Sequence, residues 1–152
     1  MVFIYVRLIS PMARVFLMIN KDQLPGMLDF LYGTGVPVPG CELSMAEAVA
    51  EVSQHYPGKP YCLVRSWTVV DLLDSQGQLL TDSEGEALRV LFAHEVVFDS
   101  AGRFAPGWWV RSNYACSWKN DEFFETRRTV YVLLGDGFQK SVDERLVFSV
   151  HN

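Results

Sequence analysis

The chain has 152 residues, 49% of them hydrophobic and 20% charged, with a formal net charge of −5. That composition is too apolar for a disordered chain and too polar for a membrane bundle, and the length suits one domain with one core, 1–152. The net negative charge argues against a polyanion as the main partner, so nucleic acid is not expected.

Residues Met1 to Ile19 are rich in β-branched and aromatic side chains, with Pro11 dividing them into two runs. Arg7, Pro11 and Arg14 interrupt the apolar opening, so it reads as strand rather than a signal peptide. Together with a short helix over Leu24 to Tyr32, it forms an N-terminal extension, 1–32, expected to pack on the main sheet or in a homodimer interface. Gly33 to Gly40 holds three glycines and two prolines and reads as a loop.

Ser44-Met45-Ala46-Glu47 is a capping box, with the Glu47 carboxylate expected to reach back to the Ser44 amide. The helix it starts, about 44–56, places Met45, Ala48, Val49, Val52 and Tyr56 on one buried stripe and leaves Glu47, Glu51 and Gln54 in water. Pro57-Gly58 stops it. Tyr61 to Leu73 follows as one or two strands ending at the Asp74-Ser75-Gln76-Gly77 turn, and a short helix is expected within Leu79 to Ala87.

Leu88, Val90, Phe92, His94, Val96 and Phe98 alternate along the next strand and line one face. Asp99 to Gly102 is a hairpin signal. Trp108 to Asn113, Phe123 to Leu134 and Leu146 to Val150 complete a C-terminal β-meander, in which Phe123 to Leu134 is the longest strand. Val130 to Leu134 is apolar on both faces and therefore central. The fold expected is α+β, with a mainly antiparallel, strongly bent sheet, one packed amphipathic helix and no internal repeat.

Gly40-Cys41-Glu42-Leu43-Ser44-Met45, Tyr56-Pro57-Gly58-Lys59-Pro60-Tyr61-Cys62-Leu63-Val64, Val97-Phe98-Asp99-Ser100, Trp109-Val110-Arg111-Ser112 and the long string from Phe124 to Gly135 resemble a family of small bacterial proteins classed as a domain of unknown function. The resemblance runs from about Pro39 to Val147. It implies a bacterial, mobile-element type of origin and brings no activity, substrate, cofactor or catalytic residue with it. The region before Gly33 departs from the family's pattern.

Candidate chemistry is sparse. Cys41, Cys62 and Cys116 are odd in number and widely spaced, which suggests neither a disulfide framework nor a zinc site and fits a reducing cytoplasm. His55, His94 and His151 show no metal-binding spacing. Cys62, His94 and Asp99 are the residue types of a thiol hydrolase, but Cys62 sits in a strand with nothing to depress its pKa, so a core role for both Cys62 and His94 is favoured. Gly135-Asp136-Gly137 lacks the lysine and following helix of a phosphate loop and reads as a turn.

Charge is segregated: Glu42 to Asp99 carries ten acidic and three basic residues, whereas Arg103 to Arg128 carries five basic and three acidic. Adjacent Trp108 and Trp109 must point to opposite faces of a strand, so one needs cover from outside the core unless a second layer buries both. With Arg111, Tyr114, Trp118, Arg127 and Arg128 they have the composition of a protein-binding hot spot. Glu125, Arg127 and Thr129 are expected on one face of their strand, with Thr126 and Arg128 on the other. The reading is a non-enzymatic protein-binding module, of inhibitor or immunity type, that blocks a partner surface. The alternatives are a small Cys62/His94 enzyme and a weak single-strand nucleic-acid binder using Arg103, Arg111, Lys119, Arg127 and Arg128.

Overall fold

The computed structural model describes residues 2–7, 14–19, 21–119 and 121–151. An N-terminal hairpin of β1 (Val2–Arg7) and β2 (Arg14–Ile19) is joined by β11 (Val150–His151) into a three-stranded antiparallel sheet. The break expected at Pro11 lies outside the described residues.

The main sheet has eight strands and is not closed. Its spine is β4 (Tyr61–Leu73), thirteen residues in a single strand and longer than any other described strand. One edge of β4 pairs antiparallel with β5 (Arg89–Asp99), which in turn pairs with the short β6 (Val110–Arg111). The other edge carries two parallel partners in succession, β9 (Val130–Leu133) and then β10 (Gly137–Asp143). Beyond them lie β3 (Val36–Val38) beside β10, and β8 (Phe123–Thr126) with β7 (Ala115–Ser117) beside β9. The sheet is therefore mixed; the prevalence of antiparallel pairing and the strong bend expected from the sequence are not supported.

Two helices bury one sheet face. Helix α2 (Met45–His55) starts as its capping box dictates: Ser44 Oγ accepts from the Glu47 amide at 3.2 Å. The Glu47 carboxylate, however, takes the Ser44 hydroxyl at 2.9 Å instead of the Ser44 amide. Ala48 and Val52 are buried on Leu63, Val130 and Val132, with Val49 and Tyr56 half-buried beside them, whereas Met45 at the first turn is exposed. Helix α1 (Leu24–Tyr32) buries Met27, Phe30 and Leu31 on Val70, Leu72, Val90 and Phe92, joined by Val147 of α3 (Glu144–Phe148). A further cluster containing Cys62, Val64, Trp67, Val69, Leu91, Ala93, Phe124 and Tyr131 includes no helical residue.

Several expected elements differ. Phe123 to Leu134 is two strands folded at Arg127-Arg128, because Thr126 replaces the usual turn residues. Its backbone N–H donates to Thr129 O at 2.8 Å, and its Oγ1 both accepts from Thr129 N and donates to Thr129 O. The alternating faces assigned to Glu125 through Thr129 therefore do not apply beyond Thr126. Leu146 to Val150 is mostly helix α3, capped by the Asp143 carboxylate on Arg145 N. Trp108 to Asn113 contributes only β6.

No helix forms between Leu79 and Ala87. The turn at Asp74 to Gln78 is instead repeated eight residues on at Asp82 to Glu86, so the two copies of Asp-Ser-x-Gly-x are a short internal repeat where the sequence reading expects none. Asp74 Oδ1 accepts from Gln76 N and Gln78 N, and Asp82 Oδ1 accepts from Glu84 N and Glu86 N in the same way. Leu72, Leu80 and Leu88, also spaced by eight, close a ring of three main-chain hydrogen bonds of 2.9–3.0 Å. Short Asx turns satisfy the backbone locally and remove the need for a helix.

Candidate functional site

The structure does not gather the seven residues nominated as a binding patch. Trp109 is 3% exposed and stacks on Phe92 with ring centroids 5.8 Å apart, while Trp108 is 40% exposed, so the neighbouring indoles divide between core and solvent. Alternation then puts Arg111 on the Trp109 face, where its guanidinium lies 4.7 Å over the Phe148 ring and Nη1 donates to Val147 O. Exposed Tyr114 meets the same Phe148 edge-on. Trp118 is buried under Arg89 and donates its Nε1–H to Asp121 O. Arg127 and Arg128 form the tip of the β8–β9 turn, just past the Ala115–Thr126 pair of the β7–β8 ladder.

That tip belongs to a basic pole. Arg103 Nη1 donates to Thr129 Oγ1, and Lys59 Nζ donates to Thr126 O and Glu125, each at 2.8 Å. Tyr61, at the start of β4, exchanges hydrogen bonds with Ser100, and its ring contacts Phe98, which is 38% exposed. Arg89, Arg103, Arg111 and Arg145 each have a partner. Arg127 and Arg128, both exposed, have none among the described residues. At the far end of β4, up to ~40 Å away at ~3.3 Å per residue, Asp74, Asp82, Glu84 and Glu86 ride on the repeated turns.

The thiol-hydrolase set is not assembled. Cys62 lies opposite Asp99, and His94 is four rows further along the ladder, ~13 Å away at ~3.3 Å per residue. The Cys62 thiol is pushed up to about 12, first by burial and then by the Asp99 charge, against a smaller opposing effect of Arg103. Such a thiol carries no thiolate near neutral pH. Among the described residues no group of three or more His, Cys, Asp or Glu side chains is arranged to hold a metal ion, and no helix is long and apolar enough to cross a membrane.

Sequence reasoning missed a hollow beside β4. Along β4, the ladder to β9 ends at Val64–Leu133 and the ladder to β10 begins at Thr68–Phe138. Arg65, Ser66 and Trp67 therefore face an interruption in which the opposite chain has four residues, Leu134 to Gly137, against three. A cavity of about 280 Å³ opens there, lined by residues that include Tyr32, Ser66, Trp67, His94, Asp136 and Phe138. Ser66 has φ of 52°, the one non-glycine left-handed residue among those described, a conformation that costs ~1–2 kcal/mol. Trp67 anchors the other wall by donating Nε1–H to Gly135 O at 3.0 Å.

His94 sits opposite Ser66 in the β4–β5 register. Its Nε2 lies 2.7 Å from Leu31 O, a carbonyl at the C-terminal end of α1, so Nε2 carries the proton and Nδ1 keeps a lone pair. Nδ1 is buried without a partner. Burial lowers the His94 pKa, the Leu31 hydrogen bond partly offsets this, and Lys140 adds to the lowering. Because the folded pKa lies below the unfolded one, the unfolded chain takes up the proton first as pH falls. The stability contribution is full above the ordinary value of 6.5 and declines below it. Urea midpoints are expected to fall between neutral pH and mild acid, and His94→Gln, which keeps a donor for Leu31 O, is expected to reduce that dependence. An unchanged slope would exclude His94 as the group responsible.

A family model described as a domain of unknown function, DUF6957, matches residues 39–149. No curated protein and no solved structure matches the chain. The matched span takes in α2, the whole of β4 and β5, the arginine turn and most of the cavity wall, and the chain belongs to the DUF6957 family.

Proposed function

We propose that this protein is a non-enzymatic protein-binding module, acting as an inhibitor or immunity-type protein that occludes a partner surface, and that it docks through the Arg127-Arg128 turn. The observation that carries this reading is a pair of adjacent, exposed and unpaired arginines on a rigid turn, in a chain whose net charge is −5. Thr126, Thr129, Arg103 and Lys59 hold the turn in place, so little ordering entropy remains to be lost on binding. Arginine together with partly exposed aromatic side chains, here Phe98 and the half-buried Tyr61 on the strands that flank this end of the sheet, is the composition of interface hot spots. A carboxylate-rich protein surface complements it, and the acidic turns at the other end of β4 orient the approach.

The test is affinity capture with mass spectrometry from cells that naturally hold the protein, comparing the wild type with Arg127→Glu/Arg128→Glu and with Trp108→Ala. The charge-reversed variant is expected to stay folded and lose its partner roughly tenfold or more, as loss of a hot spot worth ~2 kcal/mol requires. Trp108→Ala is expected to retain it. Capture that is empty at all salt concentrations, or indifferent to charge reversal, overturns the reading. So does tight, steeply salt-dependent binding of a labelled single-stranded oligonucleotide in place of a protein.

A further inference from the structure

Independently of the arginine turn, we infer that the cavity at the β9–β10 interruption is a binding site for a flat organic cation of the amidinium or guanidinium class. Its lining includes three aromatic residues, Tyr32 and Phe138 at the surface and Trp67 buried behind them, with Tyr32 stacked on the His94 imidazole at 5.8 Å between centroids. Rings of this kind attract a cation through their negative faces and accept a planar one edge to edge or stacked.

The polar groups of the lining have the same bias. Asp136 is an acceptor in its ionised form and has no partner among the described residues, and the hydroxyls of Ser66 and Thr68 are likewise unpartnered. His94 Nδ1 is a bare acceptor in the adjoining wall. No lysine or arginine lines the cavity. The nearest cation, Lys140, is turned onto the carbonyls at the C-terminal end of α1, donating to Asp29 O and Gly33 O. One acceptor-only carboxylate and two hydroxyls that can accept, with no cation in the lining, favour a ligand that donates hydrogen bonds.

The backbone that carries the carboxylate is itself constrained. Gly135 takes φ of 67°, and a Cβ on Gly137 would collide with the Trp67 indole, so the loop carrying Asp136 is clamped between a left-handed turn and a buried ring. At about 280 Å³ the cavity is at the small end of ligand sites, large enough for one ring or one side-chain head group. The two sources of that chemistry are a free small molecule and the arginine side chain of a protein segment.

The experiment titrates the intact protein with benzamidine, with agmatine and with the peptide acetyl-Ala-Arg-Ala-amide, using benzyl alcohol as the uncharged counterpart of benzamidine, and follows calorimetric heat, with tryptophan fluorescence as a second signal. Saturable binding of at least one of the three cations is expected, with benzyl alcohol weaker. Asp136→Asn, at an exposed loop position that leaves the fold intact, is expected to weaken it roughly tenfold, the effect of losing one charge-assisted hydrogen bond. Tighter binding of the peptide than of benzamidine and agmatine assigns the site to a protein segment, and the reverse order assigns it to a free molecule. Absence of saturable binding by all three cations, equal binding of benzyl alcohol, or an Asp136→Asn variant with unchanged affinity overturns the inference.

Discussion

Replacing Arg103 by methionine is expected to destabilise the protein by ~3–5 kcal/mol, the loss that follows when a buried charge is left without its counter-ion. The Asp99 side chain is 0% exposed, and its carboxylate takes four hydrogen bonds: from Arg103 Nη2 at 2.9 Å, Arg103 Nε at 3.2 Å, Arg103 N at 2.7 Å and Phe104 N at 3.3 Å. Only the two amides survive the substitution. Arg103 also bridges the turn after β5 to the turn after β8 through Thr129, so its removal separates the two loops that hold the arginine tip. Urea unfolding measures the loss. Removing both partners together, as Asp99→Asn/Arg103→Met, is expected to cost less than Arg103→Met alone, because no charge is then stranded.

The pH dependence supplies a second signature of the same pair. Burial raises the Asp99 pKa, but the hydrogen bonds and charge of Arg103, with the Phe104 amide, outweigh it and leave the carboxyl below its ordinary range. A depressed folded pKa means stability that is present above the unfolded value and is lost as pH falls through the folded one. In Arg103→Met only the two main-chain amides still oppose burial and the Asp99 pKa moves up, so the carboxyl is more easily tolerated when protonated. The gap between wild type and variant is therefore expected to be widest at neutral pH and to narrow in acid. A gap below ~1 kcal/mol at neutral pH, the range of an exposed ion pair, would show that the pair is merely superficial.

What could be read from the sequence was what is local. Ser44 and Glu47 announce α2 because cap and helix are three residues apart, and Trp108-Trp109 divides between solvent and core as alternation predicts, although both residues lie just ahead of β6. The two parallel ladders on β4 were invisible, since Phe138 to Val142 carries a polar, unremarkable string whose strand character comes from a partner about 70 residues away. The arginine turn was hidden by Thr126, a residue typical of strands, doing with its hydroxyl what glycine or asparagine does elsewhere. The first Asp-Ser-x-Gly-x copy is legible as a turn, but its repetition at Asp82 is not, because the eight-residue spacing of Leu72, Leu80 and Leu88 matches neither a helix nor a strand period. The cavity had no signal at all: its lining comes from α1, β4, β5 and the β9–β10 connection, and nothing in the letters around Ser66 marks a left-handed serine.

Trp67→Ala is expected to cost ~3–5 kcal/mol, as for a large buried aromatic, and Gly137→Ala ~1–3 kcal/mol, as for overpacking. The indole is 1% exposed and touches both sides of the interruption, with a hydrogen bond to Gly135 O and its ring against Gly137. A Cβ on Gly137 has nowhere to go because the atoms it meets are ring carbons of the buried indole, which cannot swing aside as the end of a flexible chain could. The two substitutions should therefore not add. With the indole gone, the alanine at 137 meets no obstacle, and the double variant is expected to be no less stable than Trp67→Ala alone, a coupling of ~1–3 kcal/mol in a double-mutant cycle. Additive losses would mean that Gly137 is required for its backbone conformation and not for the ring, and that the clamp on Asp136 has another origin. Coupling, by contrast, ties the core to the site, because the same indole that fills the centre of the sheet fixes the wall and the carboxylate of the cavity beside it.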